Sequence, residues 1–188
     1  MQRPPVEPEL AAFDEEYFAS RRSRPGGRSF DAALLREPVT LLHQRQPLIF
    51  APKDSASEAM RSMQNEHRGC VLVTESGLGD SRLTGIFTER DVLRRVIDGG
   101  RNPATLTLAE IMTPDPECLS DEASVAWALN KMEVGGFRHV PVVDDAGRPR
   151  LVVSVRDIVG FLVSAFPEEV LNLPPEFGVD RYRERDGA

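Results

Sequence analysis

The sequence predicts an α/β protein in which one β-α-β-β-α unit is used twice behind a short helical extension. An apolar run, Leu83 to Phe87, stops abruptly at Thr88, and a helical pattern with Val92, Leu93 and Val96 on one face takes over. The same succession returns as Leu151-Val152-Val153-Ser154-Val155-Arg156-Asp157, so a hydroxyl and a carboxylate stand at the same spacing at two strand-to-helix corners. The register between the copies is the third observation. Ala59 and Met63 match Ala128 and Met132 at an offset of 69, as Val71-Leu72-Val73 matches Val140-Pro141-Val142, whereas Thr88 and Asp91 match Ser154 and Asp157 at 66. The difference is a shorter strand-to-strand loop in the second unit, and loops are where insertions are tolerated.

Each element has a local reason. Residues 1–9 are Pro-rich, and Leu10 to Arg22 reads as an amphipathic helix with acidic residues early and basic ones late, as the helix dipole favours. Pro25-Gly26-Gly27 makes a linker, and Asp31 to Arg36 a short helix that Pro38 ends. In the first unit Leu48-Ile49-Phe50 is a strand, and Ser55 with Glu58 forms a capping-box pattern for a helix running to about Glu66. Val71 to Val73 and Leu83 to Phe87 are strands, and Glu89 to Ile97 is a helix closed by Gly99-Gly100. In the second unit Ser124 caps a helix that ends at Gly135-Gly136. Val140 to Val143 is a strand, Asp144 to Gly147 a turn, Leu151 to Val153 a strand, and Val155 to Ala165 a helix. These boundaries give an extension over 1–46, a first repeat over 47–104, a second over 105–166 and a tail over 167–188.

With 188 residues, 40% of them hydrophobic, the chain suits one globular domain or two small ones. No apolar run could span a bilayer and Met1 to Pro8 lacks a signal-peptide core, so a cytoplasmic protein without a membrane partner is expected. A net charge of -7 and 6% aromatic residues count against a nucleic-acid binder. Cys70 and Cys118 have no metal-ligand spacing and read as buried thiols, while His43, His67 and His139 are scattered. Met60, Met63 and Met132 read as core, and Trp127 as core or interface. No nucleophile–base pair, metal set or phosphate-cradling Walker loop is present, so no enzyme is expected.

The duplicated corners, together with Ile111-Met112-Thr113-Pro114 and Arg138-His139-Val140-Pro141-Val142-Val143-Asp144, resemble the tandem CBS-domain (Bateman) module over roughly residues 47–166. The resemblance implies two β-α-β-β-α repeats packed through their sheets about a pseudo-two-fold axis, with two clefts between them. It implies a regulatory module that binds AMP, ADP, ATP or S-adenosylmethionine, forms a homodimer and acts on a protein partner. It also implies that Thr88 and Ser154 meet phosphate and that Asp91 and Asp157 meet the ribose diol. Adenine is expected beside Phe50, Ala51 and Val71 in one cleft and beside Val140 in the other, with Arg138 and His139 facing phosphate.

The physical chemistry of the corners is compatible with this. A helix start presents free N–H groups to an anion, and an ionised carboxylate can accept from both ribose hydroxyls. Gly85 would let a ligand approach its strand. Leu151 stands at the matching position, which predicts a second cleft that is closed or altered in its ligand. The same spacing also suits plain helix capping, in which the hydroxyls and carboxylates serve only their own backbone. The alternative function is therefore a ligand-free dimerisation scaffold.

Overall fold

In the computed structural model the described residues are 32–42 and 45–165. The expected helix over Leu10 to Arg22 and the tail from Phe166 lie outside them. The contact pattern divides the chain after Ala32, and every element below lies beyond that division except the first residue of the opening 3-10 turn.

That turn covers Ala32–Arg36, and a second, Val39–Leu41, follows Pro38. The first repeat then supplies β1 (Ile49–Phe50), α1 (Ala56–Asn65), β2 (Cys70–Thr74), β3 (Leu83–Thr88) and α2 (Glu89–Asp91), which continues as a π-helix over Val92–Ile97. A short α3 (Leu108–Ile111) and β4 (Thr113–Pro114) lead into the second repeat. Its elements are β5 (Leu119–Ser120), α4 (Val125–Gly135), β6 (His139–Val143), β7 (Pro149–Ser154) and α5 (Val155–Ala165).

The sheets are β1-β2-β3-β4 and β5-β6-β7. In each, the short first strand runs parallel to the middle strand, which pairs antiparallel with the strand feeding the corner. The pairings Phe50↔Val73 and Leu119↔Val142 sit at the offset of 69 found in the sequence.

Strand alternation sorts the side chains. Val71, Val73 and Phe87 point to the first repeat's helices, and Val140, Val142, Leu151 and Val153 to the second's. Their neighbours Leu72, Ile86, Val143 and Val152 point the other way and form a third cluster that joins the two sheets. The repeats thus pack through their sheets, as expected.

Several local expectations change. Ser55 stands at the N-cap of α1 without a side-chain capping bond. The preceding chain is bridged to Thr107 instead, and the Ala56 amide donates to the Leu106 carbonyl at 2.9 Å. Ser124 does cap, accepting from the Trp127 amide at 3.2 Å, and Gly136 closes α4 at φ +64°. The helix after Asp91 widens so that the Asp98 amide reaches the Leu93 carbonyl. Apolar spacing does not reveal this, because Val92 and Val96 share a face in either helix. Trp127 is 52% exposed, with Lys131 Nζ 5.5 Å from its ring centre, and is not core. Met60 and Cys118 are only half-buried.

The segment before each repeat crosses to the other. Val39 and Leu42 are buried in the second repeat's core, while Leu108 and Ile111 are buried in the first's. The bridges Pro38↔Ser124 and Ser55↔Thr107 are the matching anchor points of this exchange. A boundary at 47 leaves Val39 and Leu42 in the extension, but their packing makes them core.

Candidate functional site

Two clefts open between the repeats, built from corresponding parts. Each combines a hydroxyl–carboxylate corner of one repeat with the approach to the short first strand and the start of the middle strand of the other. The cleft at Ser154 and Asp157 takes in Arg45, Pro47, Leu48, Gly69 and Cys70, with a volume of about 1260 Å³. The cleft at Thr88 and Asp91 takes in Thr113, Asp115 to Glu117, Arg138 and His139, with a volume of about 510 Å³. Backbone bonds hold both corners alike: the Glu89 amide donates to the Gly69 carbonyl, and the Val155 amide to the Arg138 carbonyl, each at 3.1 Å.

At the first corner both oxygens of the carboxylate are engaged. Asp91 Oδ2 accepts from the Thr88 amide at 2.9 Å and from Thr88 Oγ1 at 2.7 Å. Its Oδ1 accepts from Thr113 Oγ1 at 3.2 Å and is paired with Arg95 Nε at 3.3 Å. Arg95 is anchored in turn by the carbonyls of Ile111 and Met112 and by Thr113 Oγ1. Asp91 is only 7% exposed.

At the second corner Asp157 Oδ2 accepts from the Ser154 amide at 2.9 Å and from Ser154 Oγ at 2.6 Å, which is the same capping pair. Its Oδ1 has no hydrogen-bond partner among the described residues, and Asp157 lines the larger cleft. In both corners the hydroxyl proton goes to the carboxylate rather than outward.

The structure brings Thr88, Asp91, Arg138 and His139 into the smaller cleft, and Ser154, Asp157, Arg138 and His139 into the larger. Five expected contacts lie elsewhere. Val71 and Val140 are fully buried against their own repeats' helices, because alternation turns them away from the sheet-to-sheet side. Phe50 packs against the first core and Ala51 is buried beneath Gly77. Gly85 faces the same helix side, and a Cβ there would run into the Met112 side chain. Leu151 likewise points into the second core, so its bulk does not close the second cleft, which is the larger of the two.

Sequence reasoning missed Arg95, Thr113, Glu89 and Phe161. Arg95 was within reach, since it lies one helical turn after Asp91, at i,i+4. The same 66-residue offset places Phe161 at the corresponding point of the second corner.

Burial pushes the Cys70 thiol up to about 12, which keeps it protonated and unreactive at neutral pH. His139 closes over Gly69, where an added Cβ would come within 2.7 Å of its ring. Burial lowers the His139 pKa, and Arg138 adds to this, while Glu89 and Asp157 oppose it. Between that lowered value and 6.5 the unfolded chain binds the extra proton, so stability falls as pH drops through this window. Urea melts at pH 7.5 and 5.5 should therefore show a loss at the lower pH that is smaller in His139→Gln.

A CBS-domain sequence profile matches residues 39–98 and 108–164. With two tandem matches that fall on two interlocked repeats, the chain belongs to the CBS-domain family. It is 33% identical over 122 residues to the mitochondrial CBS domain-containing protein CBSX3 of Arabidopsis thaliana, covering 64% of this chain and 58% of that one. It is similar in fold to the CBS domain protein PAE2072 of Pyrobaculum aerophilum, solved in complex with AMP, at 22% identity and a TM-score of 0.61 over 70% of this chain and 99% of that one. It is also similar to the CBS domain pair of MJ0100, solved with 5'-methylthioadenosine and S-adenosyl-L-methionine, at 24% identity and a TM-score of 0.59 over 69% and 98%. The chain spans less than two thirds of the first curated relatives it matches, 20% of CBSCBSPB3 of Arabidopsis thaliana and 13% of the meiotically up-regulated gene 70 protein of Schizosaccharomyces pombe.

Proposed function

We propose that this chain is a regulatory module that takes a phosphorylated adenosine in the Ser154–Asp157 cleft and passes its occupancy to a protein partner. The observation that carries this reading is the open Oδ1 of Asp157 in a cleft of about 1260 Å³. Two acceptor sites on that oxygen match the two hydroxyls of a ribose. Around it stand Arg45, Arg68, Arg138 and Arg156 against the acidic Glu89 and Asp157, a balance that suits phosphate. That balance favours AMP, ADP or ATP over S-adenosylmethionine, whose sulfonium is positive. Apolar Leu48, Val152 and Phe161 supply a wall for the base. The likeness to folds solved with AMP and with S-adenosyl-L-methionine supports the reading.

Because the lining comes from both repeats, a ligand there would favour one relative angle of the repeats over another, provided it binds the two with different affinities. The test is a thermal-shift panel with AMP, ADP, ATP and S-adenosylmethionine. A ligand at ~100 times its dissociation constant stabilises the fold by about 2.7 kcal/mol. The expected order places the three nucleotides above S-adenosylmethionine. No shift with any of the four would leave the scaffold reading, in which both corners only cap helices.

A further inference from the structure

We infer that Arg95 is a built-in occupant of the Asp91 corner, so that the module takes one nucleotide per chain although it carries two hydroxyl–carboxylate motifs. This deepens the functional reading above and rests on it. A carboxylate offers about four acceptor sites. Asp91 engages both of its oxygens, in hydrogen bonds from Thr88 N, Thr88 Oγ1 and Thr113 Oγ1 and in an ion pair with Arg95, whereas Asp157 engages one, in two hydrogen bonds from Ser154.

The difference is a single position in the repeat. Counting 66 residues on from Arg95 reaches Phe161, which carries no donor and lines the open cleft. Arg95 is held at its far end by the Ile111 and Met112 carbonyls, the C-terminal end of α3, so it spans the corner from one wall to the other. A ribose diol entering there would have to displace an ion pair and a hydroxyl from one buried oxygen. The protein has thus filled the diol's place with its own guanidinium, which leaves Asp91 to hold α2 against α3.

Isothermal titration of the full chain with AMP tests this. The expected stoichiometry is one AMP per chain in the wild type, no binding in Asp157→Asn, and two per chain in Arg95→Phe, which copies the other corner. In Arg95→Phe/Asp157→Asn one site should remain. Two AMP per wild-type chain, or one AMP still bound by Asp157→Asn, would overturn the inference while leaving the nucleotide reading intact. These two measurements do not depend on whether Arg95→Phe folds. A wild type that binds no AMP, ADP or ATP would overturn the functional reading, and this inference with it.

Discussion

Asp157→Asn is expected to weaken AMP binding by at least about 100-fold, out of the range in which titration detects it, while leaving the thermal midpoint of the free protein nearly unchanged. Hydrogen bonds to a charged group are worth roughly 1.5–3 kcal/mol each, and the ribose diol would make two to this carboxylate. The amide keeps one oxygen for the Ser154 amide, so the corner itself survives. Asp91→Asn should behave in the opposite way. Its carboxylate is nearly buried, caps α2 and pairs with Arg95, so replacing it leaves Arg95 without its charge partner. A lower thermal midpoint and an almost unchanged AMP affinity are expected. Measuring both quantities for both variants separates the corner that binds from the corner that braces. Equal affinity losses in the two variants would reject the distinction.

Leu42→Ala is expected to destabilise the fold by about 2–5 kcal/mol, the usual cost of cutting a buried leucine to alanine. Leu42 is 3% exposed and sits in the second repeat's core with Val39, Leu119 and Val125, although it precedes the first repeat in sequence. Leu41→Ala is the control. That side chain is 58% exposed, and its loss should change stability by less than about 0.5 kcal/mol. Chemical denaturation of the two variants decides the matter. If Leu42→Ala were as mild as Leu41→Ala, the turn over Val39–Leu41 would be a surface attachment and not part of the core.

Much of the architecture could be read from residue pattern. The apolar runs at Val71 to Val73 and Leu83 to Phe87, the hydroxyl corners and the glycines at 135 and 136 are local signals, and each acts through its immediate neighbours. The short α3 was also legible in principle, since the Thr107 amide and hydroxyl both donate to Glu110 three residues on. Four residues, however, carry too little periodicity to stand out. The site is less legible, because the face on which a strand residue stands is not set by its motif. The family resemblance offers Val71 and Val140 as neighbours of adenine, and a missing side chain offers Gly85 for close approach, yet a strand turns alternate residues to opposite faces. Those three face the helices, whereas Ile86 and Leu72, the residues next to Gly85 and Val71, belong to the cluster between the sheets.

The sequence determined that there are two repeats, where their strands and helices fall, and that each corner pairs a hydroxyl with a carboxylate, because all of these follow from contacts within a few residues. Tertiary structure alone decided which carboxylate is open. Arg95 reaches Asp91 from the next helical turn, but it becomes a lock only because α3 and Thr113 come back across the sheet to hold its other end. Phe161, at the same point in the second repeat, goes to an apolar wall instead. A donor count at a buried oxygen depends on segments that meet only when the chain folds, so two motifs of the same spacing end with different chemistry.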